Sequence, residues 1–391
     1  MFKRLIKNYH LLKFIFPFLL SGGLIILVIF SYFSQQKLNK VTSEKNNLQQ
    51  RLIKIDQELK DLKNQDQYQI NQKLESDIKK IETTYQQAVK VYEQLLDLKQ
   101  ISKKTEKQNE LFTDSLTMLS KRNYASAEAS LNLLTKQISE ERNKIAAAFV
   151  IPQNVTQSNT PPGSGYQRQV VKTDFGEYLV DVVSADLNST RVIVDTASDG
   201  DCRNDCPVLS LADYVSRNGA FAGVNGSYFC PADYPSCADK KNSFDTLLMN
   251  KNKVYFNSDN NVYSAVPAAI FSGNSARFVG RSLEWGRDTG VDAVIANQPL
   301  LVAGGNVVFG GDDEIKRAGK GSRSFIGSAG NTVYIGVVHN VNAAEMARVL
   351  AAMGMQNALN LDSGGSTALW SGGYRVGPGR NIPNAVLLVG K

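Results

Sequence analysis

Residues 36–149 contain neither glycine nor proline, and this absence constrains the fold of the chain more than any other feature. Because both residue types weaken or break helices, the stretch is predicted to form long, uninterrupted helices. From Val41 to Leu62 the apolar residues recur in steps of four and three, with Lys45 as a polar member. This spacing is typical of a coiled-coil seam. We therefore expect a helical, coiled-coil stalk that forms a homo-oligomer, or alternatively a platform on which a partner docks.

The later part of the stalk has a different pattern. Residues 104–148 look like a helical hairpin that turns near Lys121–Asn123, because three apolar residues recur on one helical face after the turn. These residues are Leu131, Leu134 and Ile138.

The front of the chain predicts a membrane anchor. Phe14–Phe33 contains no charged residue, and a helix needs about 20 such residues to cross a bilayer. Four basic residues precede it, namely Lys3, Arg4, Lys7 and Lys13. Since no small-residue cleavage site follows, the pattern favours a retained signal anchor at 14–33 over a cleaved signal peptide. The positive-inside rule then places a basic tail, residues 1–13, in the cytoplasm and everything after about Ser34 on the extracytoplasmic side.

Charge is divided unevenly along the chain. Residues 1–150 contain 24 lysines and arginines against 16 aspartates and glutamates, and the remainder contains 20 against 21. The overall excess of positive charge therefore belongs to the anchor and stalk, where basic helices contact lipid headgroups or solvent. No nucleic-acid partner is predicted, because an exported chain without a recognition motif is a poor candidate for one.

All four cysteines lie in the part predicted to be exported. They are Cys202, Cys206, Cys230 and Cys237. In an oxidising compartment they predict two disulfides, for which three connectivities exist, and pairing of near neighbours is the simplest. A four-thiolate zinc site is the alternative, although the spacing lacks the usual C-x₂-C pairs.

A polar segment rich in proline and glycine, residues 150–166, predicts a linker between the stalk and a domain at 167–391. In that domain several strand-like runs alternate with few helices. The predicted strands are Tyr178–Val183, Arg191–Val194, Val333–Val338 and Ala385–Val389, and the predicted helices are chiefly Leu209–Asn218 and Ala343–Met353. The fold class is therefore α+β, a sheet-dominated C-terminal domain preceded by a transmembrane helix and a long helical stalk.

The segment from Asn360 to Thr367 carries the strongest functional pattern. Alternation along a strand places Asn360 and Asp362 on one face, opposite two leucines. Directly after Asp362 the chain enters a turn with Gly364 and Gly365, and two hydroxyl residues follow. A carboxylate and an amide therefore leave the strand where the backbone is bare enough to approach a ligand.

Three further motifs accompany this one in a fixed order: Ala222–Phe229, Gly321–Gly327 and Arg380–Ile382. Together the four motifs resemble those of the phosphodiester glycosidase family, over about residues 167–391. The resemblance implies hydrolysis of a sugar-1-phosphodiester without a cofactor, with a glycan or sugar phosphate as substrate.

The chain departs from the family pattern at three places. Ser227 and Ser363 each replace a glycine, and Ser324-Phe325 replaces a Thr-Ala pair. None of these departures removes a charged group, so we interpret them as adjustments of specificity.

The expected chemistry assigns a role to each motif. Hydrolysis needs a carboxylate on one side of the anomeric carbon, and cations with N–H donors at the phosphate. Asp362 is the candidate base or nucleophile, and Arg323 the candidate phosphate fork. The turn amides of Gly364 and Gly365 would bind the anion, with hydroxyl donors from Ser366 and Thr367.

The remaining candidates contact the sugar or complete the anion site. We expect Asn225 and Tyr228 to hold sugar hydroxyls or an acetamido group. Arg380 is either a second anion contact or a structural ion pair. Asp245 and Glu345 are weaker candidates for a second carboxylate.

His339 is the only histidine after the predicted anchor, and it ends a predicted strand. It is either a proton shuttle or a satisfied structural residue. No G-x-S-x-G motif accompanies it, which argues against a serine hydrolase. No metal site is predicted, because the acidic run Asp312-Asp313-Glu314 fits a solvated turn better than a calcium site.

Two functions from different classes follow from these observations. The first is a membrane-anchored extracytoplasmic glycosidase that hydrolyses sugar-1-phosphodiesters of envelope or extracellular polysaccharide. The second is a non-catalytic envelope protein that binds anionic glycan and assembles through its stalk. The combination of Asp362 with a cation favours the enzyme, because a binding site would need the cation more than the carboxylate.

Overall fold

The structure is a computed structural model that describes residues 2–258, 264–286 and 290–391, without the side chains of residues 2–26, 66 and 315. The chain divides into two compact units, residues 1–82 and 83–391. The linker expected at residues 150–166 falls within the second unit, and the domain boundary there stays a prediction.

The first unit is helical. Helix α1 is Phe2–Lys63, and helix α2, Asp66–Ile101, begins in this unit and continues into the next. The apolar residues of the expected seam are exposed, among them Val41, Leu48 and Leu52, and association through this seam stays a prediction. No helix in the described part of the chain is long and apolar enough to cross a membrane. The predicted anchor at 14–33 lies mostly outside the residues whose side chains are described.

In the second unit, α2 packs with α3, Glu106–Ser120, and α4, Tyr124–Ala147. The hairpin prediction is confirmed, since the chain turns between Ser120 and Tyr124, and the Asn123 side chain caps α4 by accepting from Ser126 N at 3.3 Å. Apolar side chains of the three helices form a buried core, which includes Leu95, Leu98, Leu131, Leu134 and Ile138.

Three antiparallel sheets follow. The seven-stranded sheet has the order β1-β2-β13-β12-β14-β10-β11. Its strands are β1 Gly165–Thr173, β2 Gly176–Asp186, β10 Leu300–Ala303, β11 Asn306–Val307, β12 Gly321–Ala329, β13 Thr332–Val341 and β14 Asn357–Ser363.

The other two sheets have five strands each, with the orders β16-β15-β4-β17-β3 and β6-β5-β9-β7-β8. The first contains β3 Thr190–Thr196, β4 Ala222–Asn225, β15 Leu369–Ser371, β16 Tyr374–Val376 and β17 Asn384–Gly390. The second contains β5 Leu248–Met249, β6 Tyr255–Phe256, β7 Ala268–Ser272, β8 Ser275–Val279 and β9 Ala293–Ala296.

The sheets share one apolar core because each presents an apolar face to the others. Val194, Val224, Ile295, Ile335 and Leu359 lie together in it. Burial of such side chains contributes about 1.5–3 kcal/mol each, which makes this core the main source of stability. The alternation predicted for Leu359 places it here, so that its neighbour Asn360 points to the other side of β14.

Short helices cover the outer faces. Helix α5, Leu211–Asn218, packs on β17, and helix α7, Ala343–Ala352, packs on the seven-stranded sheet. Between them in sequence lies the single-turn helix α6, Ile315–Ala318. Gly354 follows α7 with a φ of 78°, as expected of a residue that ends a helix. The α+β, sheet-rich architecture of the C-terminal domain is confirmed.

The cysteines form two disulfides, Cys202–Cys206 and Cys230–Cys237. These are the near-neighbour pairs, so the four-thiolate zinc alternative does not apply. The second disulfide closes a small loop that contains Tyr234, and this loop borders the candidate site.

Candidate active site

The Gly364–Gly365 turn forms directly at the end of β14. Gly364 has a φ of 68°, which a side-chain-bearing residue rarely adopts, and residues Gly364–Ser366 form one turn of 3₁₀ helix. The carboxylate of Asp362 accepts a hydrogen bond from Ser363 N at 2.9 Å and another from the Ser366 side chain. The strand and the turn therefore hold the carboxylate in one orientation.

Asp362 has a perturbed pKa. Burial raises the pKa of its carboxyl from 3.8 to about 6, while the hydrogen bonds from Ser366 and Ser363, and the positive charges of Arg380 and Lys316, offset part of that rise. A carboxyl group that titrates near pH 6 can exchange a proton during a reaction at neutral pH. Such a pKa is typical of groups that act in acid–base catalysis.

Two cations flank the ring of Tyr234. Lys316 Nζ lies 4.8 Å from the ring centroid, and the Arg380 guanidinium lies 5.6 Å from it. The same two charges act on the carboxyl of Asp362. The charges of two cations thus act on one carboxylate, and an anionic substrate with a reacting centre beside its phosphate requires both kinds of group.

Arg380 lies beside the Gly-Gly turn, and its role as an anion contact stays a prediction. Its backbone N donates to Gly365 O at 2.7 Å, which holds the late motif against the Gly-Gly turn. Its guanidinium lies 3.8 Å from the exposed carboxylate of Asp233. An ion pair at this distance with an exposed carboxylate is weak.

Lys316 and Tyr234 were not predicted from the sequence. Tyr234 lies between Cys230 and Cys237, and Lys316 lies in the segment that precedes the Gly321–Gly327 motif. The only indication in the sequence was that Tyr234 lies beside the cysteines and Lys316 lies beside the Gly321–Gly327 motif. Neither position follows from a local pattern, because the pair forms only when two distant loops meet.

Arg323 occupies a different place from the one expected. It is 4 % exposed, and its Nε donates to Val341 O at 3.0 Å. Its Nη2 donates to the carbonyls of Lys316, Arg317 and Gly319, at 2.6, 3.1 and 2.7 Å. Burial lowers the pKa of this guanidinium. The Arg323 side chain therefore holds the segment that contains Lys316. Its guanidinium, which we expected to bind phosphate, binds backbone carbonyls instead.

Asn225 is also used inside the protein. Its Nδ2 donates to the backbone carbonyl of Asp362 at 2.7 Å, and its Oδ1 accepts from Ser324 Oγ at 2.6 Å and Ala368 N at 3.0 Å. It is fully buried. Rather than holding sugar hydroxyls, as we expected, Asn225 ties three strands together behind Asp362.

The close packing around Gly226 explains why a glycine follows Asn225 in this motif. A Cβ at this position would overlap Asn384 Oδ1, and Gly226 O accepts from Asp362 N at 2.9 Å. The close approach of β4, β14 and β17 thus requires a residue without a side chain. The motif positions the backbone of Asp362, while the carboxylate remains directed to the turn.

Tyr228 lies close enough to Asp362 for the two groups to interact. Its hydroxyl accepts a hydrogen bond from Asn360 Nδ2 at 2.6 Å. Burial and then the charge of Asp362 raise the pKa of Tyr228 to about 12, so the phenol stays protonated at any physiological pH. The hydroxyl can therefore act as a hydrogen-bond donor near the carboxylate.

His339 belongs to a second network. Its Nε2 lies 2.7 Å from Asp181 Oδ2, and its Nδ1 lies 3.0 Å from Ser322 Oγ. Asp181 also accepts from Tyr166 OH at 2.5 Å and from Arg168 at 2.9 and 3.0 Å. Both ring nitrogens are occupied, which matches the structural alternative considered for this histidine. The network reaches the site through Thr367 Oγ1, which donates to Ser322 O at 3.1 Å.

The acidic residues proposed for other roles have partners of their own. Glu345 caps α7 and pairs with Lys320 at 3.0 Å. Asp312 and Glu314 both contact Arg317. In the described part of the chain, no three or more histidine, cysteine or acidic side chains group together as metal ligands would. A role for Asp245 stays a prediction.

A cavity of about 390 Å³ opens beside the Gly-Gly turn. It brings together most of the residues predicted to contact substrate. They are Gly364, Gly365, Thr367 and Arg380, with Gly379, and two residues of α2, Gln100 and Ile101, complete the lining. The volume lies within the range of small-molecule sites, about 300–1,000 Å³.

Comparison with known proteins supports the family assignment. Residues 218–389 match the sequence model of the phosphodiester glycosidase family. Comparison with curated proteins gives no match. The match includes all four motifs that carried the resemblance, and it leaves the stalk outside.

Two solved structures are similar to this chain. The catalytic domain of zebrafish N-acetylglucosamine-1-phosphodiester alpha-N-acetylglucosaminidase, auto-inhibited by its pro-peptide, is 16 % identical, with a TM-score of 0.45 over 60 % of this chain and 86 % of that one. A hypothetical protein from Synechocystis is 12 % identical, with a TM-score of 0.41 over 58 % of this chain and 62 % of that one. At these values neither similarity defines the activity here. The family match and the four ordered motifs nevertheless agree, and residues 218–389 of this chain are similar to the phosphodiester glycosidase family.

Proposed function

We propose that this protein hydrolyses sugar-1-phosphodiesters in the cavity beside the Gly-Gly turn. The proposal depends chiefly on the carboxyl group of Asp362. Its pKa is about 6, and the positive charges of Lys316 and Arg380 act on it. In a protein that only bound anions, a carboxylate at this place would weaken binding, because its negative charge repels that of the ligand. A hydrolase needs that carboxylate.

In the proposed reaction Asp362 acts as the general base. Its carboxylate accepts a proton from water, and the water oxygen forms a bond to the anomeric carbon. The bond between that carbon and the phosphate oxygen breaks, and the phosphate monoester leaves with the electron pair. Because this leaving group is already a stable anion, no strong general acid is needed.

Lys316 and Arg380 would hold the phosphate through the reaction. Charge-assisted hydrogen bonds are worth about 1.5–3 kcal/mol when shielded from solvent and less at an exposed side chain such as Lys316, and they strengthen as negative charge develops on the departing oxygen. The N–H groups of Gly364 and Gly365 and the hydroxyl of Tyr228 would supply further donors. Arg323 contributes indirectly, since it fixes the loop on which Lys316 lies.

The direct test is hydrolysis of a panel of p-nitrophenyl sugar-1-phosphodiesters by the full chain in detergent, with release of the aglycone phosphate and of free sugar both measured. We expect turnover with at least one sugar and its loss in Asp362→Asn. If sugar phosphates bind but no member of the panel is hydrolysed, the protein is the non-catalytic glycan-binding protein instead.

We also propose that residues 14–33 anchor the protein in a membrane, with the catalytic domain on the extracytoplasmic side. The uncharged segment behind four basic residues supports this placement, and two disulfides fit an oxidising compartment. Mass spectrometry of the mature protein should find the segment retained. A mature N-terminus between Ser31 and Leu38 would show cleavage and contradict the anchor.

Association of the stalk is a separate proposal. The apolar residues between Val41 and Leu62 are exposed on α1 and follow a coiled-coil spacing, so a second copy of the chain would bury them. Sedimentation of the full chain in detergent should give a dimer. Substitution of Leu48 and Leu52 by lysine should return it to monomer, and a wild-type monomer at tens of micromolar would contradict the proposal.

A further inference from the structure

Helix α2 ends at the candidate site, although the sequence identified this region only as a stalk. Gln100 and Ile101, its last two residues, line the same cavity as Gly364, Gly365 and Arg380. A Cβ at Gly365 would overlap Gln100 Oε1 and lie 2.7 Å from Arg380 Nη2. Glycine at 365 therefore leaves the space that the Gln100 amide occupies.

The end of α2 is attached to the loop that carries the cations. The carboxylate of Asp97 accepts from the buried hydroxyl of Tyr234, the residue whose ring lies between Lys316 and Arg380. Glu93 Oε1 accepts from Ser236 N at 3.0 Å in the same disulfide loop. Two carboxylates, one turn apart on the helix, thus hold α2 against the loop.

The other side of α2 is held by the helical hairpin. Leu95 and Leu98 are fully buried against α4, and Arg142 of α4 lies 3.4 Å from Asp97. A side chain on a helix fixed from two sides is well suited to define a binding site. These contacts show that the position of Gln100 is built into the fold.

We infer that Gln100 is a specificity-determining residue that contacts the sugar of a substrate held at the Gly-Gly turn. The inference rests on the proposed function and adds a part of the chain outside the family match. Arg380 is the cation in the lining of the cavity, and the phosphate would be held there. Gln100 offers a neutral amide with two donors and one acceptor, which suits the hydroxyl or acetamido groups of a sugar. Ile101, 53 % exposed, supplies an apolar surface beside it.

The helical segment 83–101 therefore completes the substrate pocket and is more than a spacer. It also explains why residues 83–391 form one compact unit. A pocket assembled from the helix and the sheet domain would discriminate sugars by contacts that the four motifs do not contain.

The test measures binding first, so that it does not depend on turnover. Calorimetry on the full chain compares N-acetylglucosamine 1-phosphate with inorganic phosphate for wild type and Gln100→Ala. One lost hydrogen bond predicts a rise of about three- to tenfold in the Kd of the sugar phosphate and no change in that of phosphate. Gln86→Ala, the same substitution at an exposed position on the same helix, is the matched control and should leave both constants unchanged.

A kinetic arm adds a readout for the sugar itself. With the methyl phosphodiester of the same sugar, whose aglycone has no hydrogen-bonding group, Gln100→Ala should raise KM by a similar factor and leave kcat close to wild type. If wild type hydrolyses nothing, the proposed function fails while the binding measurement still decides the role of Gln100. An unchanged sugar-phosphate Kd, an equal loss for inorganic phosphate, or a rise in activity on removing the side chain would each overturn the inference.

Discussion

Two aspartates on the seven-stranded sheet, Asp181 and Asp362, differ in how their charge is compensated. Burial raises the pKa of Asp181, but hydrogen bonds from His339, Arg168 and Tyr166 outweigh it, and the net pKa is lowered. Burial raises the pKa of Asp362 as well, and there its partners offset only part of the rise, which leaves the pKa at about 6. The negative charge of Asp181 is fully compensated by its protein partners, whereas that of Asp362 is only partly compensated.

This difference separates a structural network from the site that we propose to be reactive. Asp181 is fully buried and contacts two basic side chains directly, so its ionised form is the stable one. Asp362 accepts from Ser363 and Ser366, while Lys316 and Arg380 act from a greater distance. A group whose charge is incompletely compensated costs folding free energy, and function is the usual reason for retaining such a group.

The largest expected effect comes from removing the charge of Asp362. Asp362→Asn should lower kcat by about 10²–10⁴-fold, the usual contribution of a general base, because the amide cannot accept the proton of water. Binding of sugar 1-phosphate should persist, since the cations are unchanged. Asp174→Asn, an equal change of charge at an exposed turn, is the control for hydrolysis assays. Wild-type turnover in Asp362→Asn would move the chemistry to another residue.

The activity of the wild-type protein should depend on pH in the direction set by Asp362. Only the ionised carboxyl accepts a proton, so kcat/KM should rise with pH to a plateau above the pKa of about 6. Below that pKa it should fall by about tenfold per pH unit. Initial rates with one phosphodiester between pH 4 and 8 check this, and a profile that rises as the pH falls would instead indicate a general acid.

Removal of the Asp181 carboxylate should affect stability. Asp181→Ala leaves His339 and Arg168 without their partner, and we expect a loss of about 3 kcal/mol in the free energy of unfolding, since breaking a buried pair costs about 3–5 kcal/mol and Arg168 is partly solvated. Because the folded-state pKa is lowered, this contribution is present above the unfolded pKa and is lost as the pH falls through the folded pKa. Urea unfolding at pH 7 measures it, and a variant as stable as wild type would contradict the comparison.

The pKa of Asp362 is shifted in the opposite direction, so its effect on the free energy of unfolding has the opposite sign. A folded pKa raised from 3.8 to about 6 favours the protonated carboxyl, so ionisation costs stability as the pH rises through that range. Asp362→Asn should therefore raise the free energy of unfolding by about 2 kcal/mol at pH 8, a value reduced for partial exposure. At pH 3, where both states are protonated, the gain should vanish. Equal stabilisation at both pH values would exclude charge as its cause.

The smallest effect is expected at Lys316, whose side chain is exposed. Lys316→Ala should raise the Kd of inorganic phosphate by about threefold, because solvent screens an exposed charge. Lys320→Ala, in the same loop but paired with Glu345, serves as the matched control. If the two variants bind phosphate equally well, Lys316 is not part of the anion site.

Much of the local structure could be predicted from the sequence. The long helices follow from the absence of glycine and proline in residues 36–149, and the hairpin follows from its apolar face. The strand before Asp362 and its turn follow from alternation and from Gly364-Gly365. These features depend on residues close together in the chain, and local patterns describe such residues well.

The hydrogen-bond partners of the side chains in the four motifs could not be predicted in the same way. Arg323 has the chemistry of a phosphate ligand, yet four backbone carbonyls surround it. Asn225 has the chemistry of a sugar contact, yet it holds the backbone behind Asp362. Residue type limits what a side chain can bind, whereas its burial and neighbours decide what it does bind.

The sequence by itself predicted the resemblance to the phosphodiester glycosidase family, the α+β class of the domain and the helical nature of the stalk, and it singled out Asp362 and Arg380 as candidates. The tertiary structure alone decided that Lys316 and Arg380 come together at the ring of Tyr234, and that Gln100 lines the cavity beside the Gly-Gly turn. The physical reason is that electrostatic and steric effects act through space. The pKa of Asp362 depends on burial and on charges at Arg380 and Lys316, and no spacing along the chain encodes their distance from it.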